Sequence, residues 1–284
     1  MAIDINSTLS WASKESESIF TNEVTFFNNN SNKLIITCGD SWTYGDSLDD
    51  RLNEIFGMEL AKQFNSDLLN IGFRGFGNSF ILNFVNKIIK DNIENLKKYD
   101  SVDLVITLTE NARDVTGHHS FPFDYISHYN KTNSNFYASV LEKMEDNWVY
   151  LLEKIAKHKF LNKIVIGQNF IWHENILNKL SKRFTKTDKN WIEVISENAN
   201  YELPVRTTLV TGWIFDEFKQ VNGIIELKND SKFKEFVIPF IDKANQVNKW
   251  LDDSAYNGEK GSKHPNKTGH IWWAEYLINY LKNE

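Results

Sequence analysis

Apolar positions along the chain fall into short unbroken runs that alternate with longer stretches spaced at three and four residues. Leu34, Ile35 and Ile36, with Thr37 and Cys38, make the first run, which ends abruptly at Gly39-Asp40-Ser41. Ser66 to Gly72 (SDLLNIG), Asp103 to Leu108 (DLVITL) and Lys163 to Gly167 (KIVIG) repeat the pattern. Runs this short, rich in Leu, Ile and Val and lacking polar alternation, predict strands buried on both faces of a parallel sheet. Between them, Leu48, Leu52, Ile55, Phe56, Met58, Leu60 and Phe64 predict an amphipathic helix over 46–64. Phe80, Ile81, Phe84, Val85, Ile88, Ile89 and Ile93 predict a second over 78–96, and 137–157 a third. Strand then helix, repeated, gives an α/β fold with helices on both faces of the sheet.

The second half is less regular. Helical spacing recurs over 171–180 and 191–198, a last strand is expected over 207–210, and 233–251 is partly helical with a start or break at Pro239. The final helix, 270–281 (HIWWAEYLINYL), is strongly amphipathic. Residues 1–31 form a polar arm in which Trp11, Phe20, Val24, Phe26 and Phe27 predict partial packing on the rest. No linker, repeat or low-complexity tract divides the remainder of the chain, so 32–284 reads as one domain with insertions.

Composition narrows the classes. The chain carries 32 basic and 38 acidic residues for a net charge of −6, which argues against a general nucleic-acid binder. Its single Cys, Cys38, excludes an internal disulfide and multi-Cys metal clusters and reads as a buried thiol. Neither a signal-peptide core nor an apolar run of membrane-spanning length is present, so a soluble, cytoplasmic protein with no membrane partner is expected. The excess of Lys over Arg, with abundant Asn and Ile, is a bias of AT-rich genomes such as those of phages and streamlined bacteria. His118-His119 lacks companion ligands at metal-binding spacing and is expected at the surface.

The chemistry concentrates where the first run ends. A strand that stops at Gly39 and passes at once into helix-compatible sequence would place Ser41 at the carboxyl edge of the sheet. There the helix N-terminus aims backbone N–H groups and a partial positive charge at the same spot. Asp40 beside it is expected to tie the turn through backbone N–H groups rather than to act on Ser41. The turn 72–77 spaces its glycines at 72, 75 and 77, which matches neither the dinucleotide fingerprint nor a phosphate loop. Asn111, just past the third strand, can donate an uncharged hydrogen bond or cap a helix. Lys263 to His270 (KHPNKTGH) is the other distinctive stretch.

Gly39-Asp40-Ser41-Trp42-Thr43-Tyr44-Gly45 resembles the first block of the GDSL, or SGNH, hydrolases, which cleave acyl esters with a Ser nucleophile. Asn70-Ile71-Gly72-Phe73-Arg74-Gly75, Thr109-Glu110-Asn111-Ala112 and His264-Pro265-Asn266-Lys267-Thr268-Gly269-His270 are similar to the later blocks, in family order. The resemblance implies a three-layer α/β/α sandwich around a mainly parallel, flavodoxin-like sheet. It implies Ser41 as nucleophile, His264 as general base, and an oxyanion hole from the N–H groups of Ser41 and Gly75 and the Asn111 amide, with no metal or organic cofactor. His270 is expected to be structural.

The sequence departs from the family in two places. Thr109 and Ala112 replace the Gly and Asp of the third block, and Gly261 stands where the family places an Asp three residues before the catalytic His. The expected orienter of His264 is then a backbone carbonyl of Gly261 or Ser262, or a carboxylate from Glu259, Asp253 or Asp252. Trp42, Phe73, Phe76, Trp172 with His173, and Trp213 supply aromatic surface, most of it expected in the core. A small-molecule or carbohydrate ester is the expected substrate. A decayed binding module on the same fold and an O-acyltransferase remain open alternatives, and the sequence does not fix the oligomeric state.

Overall fold

The computed structural model describes residues 24–46, 48–109, 134–169, 174–198, 218–221, 224–227 and 264–282. Its main sheet has six strands: β1 (Val24–Phe27), β2 (Lys33–Gly39), β3 (Asp67–Gly72), β4 (Ser101–Leu108), β5 (Leu161–Gln168) and β6 (Thr185–Lys186), in the order β1-β3-β2-β4-β5-β6. β1 is an antiparallel edge strand on β3, with Val24 opposite Ile71. The remaining pairings are all parallel. Taken alone, the parallel strands run second, first, third, fourth, fifth, which is the flavodoxin-like order. The direction of winding reverses between β2 and β4, so the crevice outside their carboxyl ends is where a doubly wound sheet places its ligand. A separate antiparallel pair joins β7 (Phe218–Val221) to β8 (Ile224–Leu227).

The two faces of this sheet bury different sets of side chains. Leu34, Ile36 and Cys38 of β2 point into a core shared with α4 (Asn78–Asp91), α6 (Ser134–Ala156) and α7 (Glu174–Lys179). Ile35 points the other way, with Leu68, Val105 and Val165, toward α3 (Phe56–Phe64), α8 (Trp191–Asn198) and α9 (Lys267–Lys282). The period of two is therefore intact although both faces are apolar, as burial of a parallel sheet on both sides requires. The fold is a mixed α/β sandwich with helices on either side of a mostly parallel sheet.

Two expected helices are broken. The stretch 46–64 divides into α2 (Arg51–Glu54) and α3, separated by Ile55 in extended conformation (φ −65°, ψ 147°). The freed Phe56 amide donates to His270 Nδ1 at 3.1 Å, a tertiary bond in place of a helical one. In α3, Gly57 lets the helix approach β2, since a Cβ there would lie 3.0 Å from Thr37 Oγ1. The stretch 78–96 divides at Asn92 into α4 and α5 (Ile93–Leu96); both the amide and the side chain of Asn92 donate to the Ile88 carbonyl, at 3.1 and 3.0 Å. β6 and the β7–β8 pair were not expected. The strand anticipated over 207–210 and the helix within 233–251 lie outside the described residues. Among the described residues no helix is long and apolar enough to cross a membrane.

Between β2 and α2 a single helical turn, α1 (Ser41–Tyr44), is wedged against the end of β3. Gly72 is the point of contact: a Cβ there would fall 2.4 Å from both the Cα and the N of Tyr44. Gly72→Ala must therefore push backbone against backbone. We expect it to destabilise the fold by about 1–3 kcal/mol and lower Tm by roughly 3–10 °C, read by thermal melting. An unchanged Tm would contradict the seating of α1 on β3.

Candidate active site

β2 delivers Asp40 and Ser41 to the crevice. Gly39 allows the tight turn, because a Cβ on it would lie 2.2 Å from Thr43 Oγ1 and 3.0 Å from the Thr107 carbonyl. Asp40 is fully buried and caps α1: its Oδ1 accepts from the Trp42 amide at 3.0 Å. Its Oδ2 accepts from Thr109 Oγ1 at 2.7 Å. A buried carboxylate is tolerated only with such donors, and Asp40 serves the turn as its position implied. Thr109 is itself clamped, its N–H donating to Asn78 Oδ1 and its carbonyl accepting from Asn78 Nδ2, each at 2.9 Å. Asn70 adds a further tie, accepting from Thr37 Oγ1 at 2.6 Å and donating to the Thr43 carbonyl at 3.2 Å. The ends of β2, β3 and β4 are thus locked to one another around Ser41.

α1 ends after one turn in a left-handed residue, Gly45 (φ 82°, ψ 44°). The Gly45 amide donates to the Trp42 carbonyl at 3.2 Å and the Asp46 amide to the Ser41 carbonyl at 3.0 Å. This is the paired bonding of a Schellman cap. It folds the chain back so that Asp46 returns beside Ser41. The guanidinium carbons of Arg51 and Arg74 lie 4.2 and 4.6 Å from the Tyr44 ring centroid and hold the end of the turn by cation–π contact.

His264 arrives from the far end of the chain. Its Nε2 lies 2.9 Å from Ser41 Oγ, across 223 residues of sequence. Ser41 is 4% exposed and the imidazole 16%, so the pair is mostly shielded yet reachable. Asp46 Oδ2 lies 3.7 Å from the same Nε2. The segment carrying His264 is fixed by α9, and α9 by aromatic packing. Trp191 stacks on Trp273 (centroids 5.4 Å apart, planes at 10°), takes the edge of Trp42 at 5.4 Å, and donates Nε1–H to the Gly269 carbonyl at 3.0 Å.

His270 is buried between Phe56 and Trp191. Burial, with a smaller contribution from His264, pushes its pKa down to about 3. It is therefore neutral, and because Nδ1 accepts from Phe56 the proton sits on Nε2. A structural role for this His, as expected, is what its surroundings impose.

Gly75, anticipated as an oxyanion donor, sits half-buried in the β3–α4 turn with φ 78°, a conformation that favours glycine. Trp42 and Phe73 are core residues, and Phe76 packs partly buried against the core. Cys38 is buried and its thiol pKa is raised by burial. Asn111, Gly261, Ser262, Glu259, Asp252, Asp253, His118, His119, Trp172, His173 and Trp213 lie outside the described residues. Among the described residues no group of His, Cys, Asp or Glu gathers as metal ligands would. Sequence reasoning missed Asp46 and the Thr109–Asn78 clamp. The Gly45-Asp46 pair, a helix-stop glycine followed by a carboxylate, was the available signal for the first.

The geometry sets two measurable expectations. Thr109→Val removes one donor to a buried carboxylate and should lower stability by about 1–3 kcal/mol, measured by urea unfolding, with the steepest loss of order at the α1 turn. For His270 the folded pKa lies below the ordinary value of 6.5, so the unfolded chain binds the extra proton and stability falls as pH drops from near 6.5 toward 3. His270→Asn keeps an acceptor near Phe56 but cannot titrate. Its unfolding free energy should therefore depend on pH in that window by about one proton less than the wild type, read from urea midpoints at stepped pH.

No family model matches the sequence, and comparison with curated proteins finds no match. Among solved structures the chain is similar to a catalytic mutant of Axe2, an acetylxylan esterase from Geobacillus stearothermophilus, with a TM-score of 0.35 and 11% sequence identity, over 89% of this chain and 94% of that one. A likeness of that TM-score carries no functional weight, and the pairing of Ser41 with His264 has to be judged on its own chemistry.

Proposed function

We propose that the protein is a serine-dependent acyl ester hydrolase working through an acyl-enzyme. The observation that carries this reading is the 2.9 Å contact between Ser41 Oγ and His264 Nε2 at the winding reversal of the sheet. A serine hydroxyl is a poor nucleophile until a base takes its proton. Here Oγ attacks the ester carbonyl while its proton passes to Nε2, and the carbonyl π pair moves to oxygen. The tetrahedral species collapses as Nε2–H protonates the leaving alcohol. Water, activated by the same imidazole, then releases the acid and regenerates Ser41.

The oxyanion is held by the N–H of Ser41 at the start of α1, the N–H of Gly75 and the side-chain amide of Asn111. The left-handed Gly75 and the position of Ser41 at a helix start support the first two assignments. Orientation of His264 by Gly261 or Glu259 stays part of the proposal. The substrate is a short-chain or carbohydrate O-acyl ester. Trp42 and Phe73 belong to the core and do not form its platform. The chemistry requires no metal or organic cofactor.

Treatment with a fluorophosphonate, followed by intact mass and peptide mapping, tests the reading. A single adduct on Ser41 is expected in the wild type, none in Ser41→Ala, and labelling slowed on the order of 10²- to 10⁴-fold in His264→Ala. Folded protein that leaves Ser41 unlabelled would overturn the assignment.

A further inference from the structure

The imidazole of His264 is faced by a carboxylate on an unexpected side. In a serine triad the acid holds Nδ1, the nitrogen remote from the nucleophile. Asp46 instead approaches Nε2, the nitrogen that faces Ser41 Oγ, at 3.7 Å. It is brought there by the chain reversal at Gly45, with its own amide bonded to the Ser41 carbonyl at 3.0 Å. Its position relative to Ser41 is therefore set by two backbone bonds of the cap and not by a flexible loop. We propose that Asp46 is a positioning residue for the Ser41–His264 reaction, stabilising the imidazolium from the Nε2 side. The inference rests on the hydrolase reading for its catalytic meaning, and on geometry alone for its electrostatic one.

Timing is what gives the contact its use. While His264 is neutral, Nε2 presents a lone pair that takes the Ser41 proton, and Asp46 Oδ2 is too distant to bond it. Once Oγ has bonded to the acyl carbon and its proton has formed Nε2–H, the imidazole carries a positive charge beside a carboxylate. Asp46 neither gains nor loses a proton in the step. An attraction present after proton transfer and absent before it lowers the barrier rather than merely tightening binding. Asp46 is 37% exposed, so water and salt weaken the attraction without abolishing it.

Among the described residues, the charged and titratable groups around His264 come from three elements. Asp46 lies just past α1. His270 of α9 is neutral. Lys267, at the start of α9, is paired with Glu54 of α2 at 3.3 Å. Asp40, the other carboxylate beside Ser41, is turned to Trp42 and Thr109. Among the described residues, Asp46 is therefore an acidic group placed to answer a charge on Nε2.

Asp46→Asn keeps the side-chain size and the cap amide. In the full-length chain we expect its kcat/KM for p-nitrophenyl acetate to fall about 5- to 20-fold at neutral pH, and the acidic limb of its pH profile to move down by about 0.5–1 unit. Asp46→Glu should recover most of both. A histidine NMR titration, with the His264 signal assigned by its loss in His264→Gln, reads the same downward shift in Asp46→Asn without any turnover. If that signal titrates identically in wild type and Asp46→Asn, the proposal is overturned whether or not the protein is an esterase. If the shift is present but Ser41 is never labelled by fluorophosphonate, the electrostatic pairing stands and the hydrolase reading falls. A loss of rate equal in Asp46→Asn and Asp46→Glu, with no change in pH profile, would assign Asp46 a merely structural role and overturn the proposal.

Discussion

The stacking of Trp191 between the Ser41 turn and the last helix is the interaction on which the site depends. Ser41 and His264 belong to opposite ends of the sequence, and a chain with a single Cys has no disulfide to join those ends. What brings them to hydrogen-bond distance is a block of rings: Trp42 on α1, Trp191 on α8, Trp273 on α9, with Phe56 and His270 closing its sides. Each such ring pair contributes on the order of 0.5–1.5 kcal/mol beyond the area it buries. The block is also directional, because Trp191 Nε1–H and the Phe56 amide each find a single acceptor on α9, the Gly269 carbonyl and His270 Nδ1. Apolar burial holds α9 against the sheet, and the two polar bonds fix where along its axis it stops. The His264 imidazole inherits its place from that register.

The same environment explains why two histidines of one short motif behave differently. His264 is partly exposed and faces a hydroxyl and a carboxylate. His270, six residues on, is sealed among rings, and its imidazole accepts from the Phe56 amide. Desolvation penalises the cation there so strongly that it stays neutral throughout the range in which a base would work. Charge on His264 adds to that penalty. One histidine is thus held neutral while the other faces the Ser41 hydroxyl.

Much of this was legible in the sequence because the signals were local. The four apolar runs became β2 to β5, and the spacing at 191–198 and 270–281 became α8 and most of α9, since burial on two sheet faces leaves no other use for such patterns. The break at Asn92 was not legible because α4 and α5 face the same core and the apolar spacing runs through the interruption. The break at Ile55 was not legible because Leu52 continues the apolar spacing, although α2 buries none of its side chains. β6, at two residues, is too short to carry a period. Thr109 looked like the loss of a family glycine; its value as an anchor emerges only when Asp40 and Asn78, distant in sequence, are placed around it. Asp46 was only faintly signalled for a related reason. Its nearness to His264 depends on a left-handed Gly45, and a Gly-Asp pair in a polar stretch suggests only a turn.

The two carboxylates that flank Ser41 show how the fold separates structural from reactive charge. Asp40 directly precedes Ser41 and Asp46 follows it by five residues, at opposite ends of one helical turn, and composition cannot rank them. Burial ranks them. Asp40 is fully enclosed, and its oxygens are occupied by the Trp42 amide and the Thr109 hydroxyl, so its charge is spent on holding the backbone shape. An enclosed anion aimed at Nε2 would hold the imidazole protonated and remove the base from service. Asp46 keeps access to water, and its attraction for Nε2 is correspondingly moderated. That is the condition under which a nearby carboxylate can favour a transient imidazolium without trapping it. The Schellman reversal at Gly45 is what puts the moderated charge, and not the enclosed one, beside the His264 nitrogen that faces Ser41 Oγ.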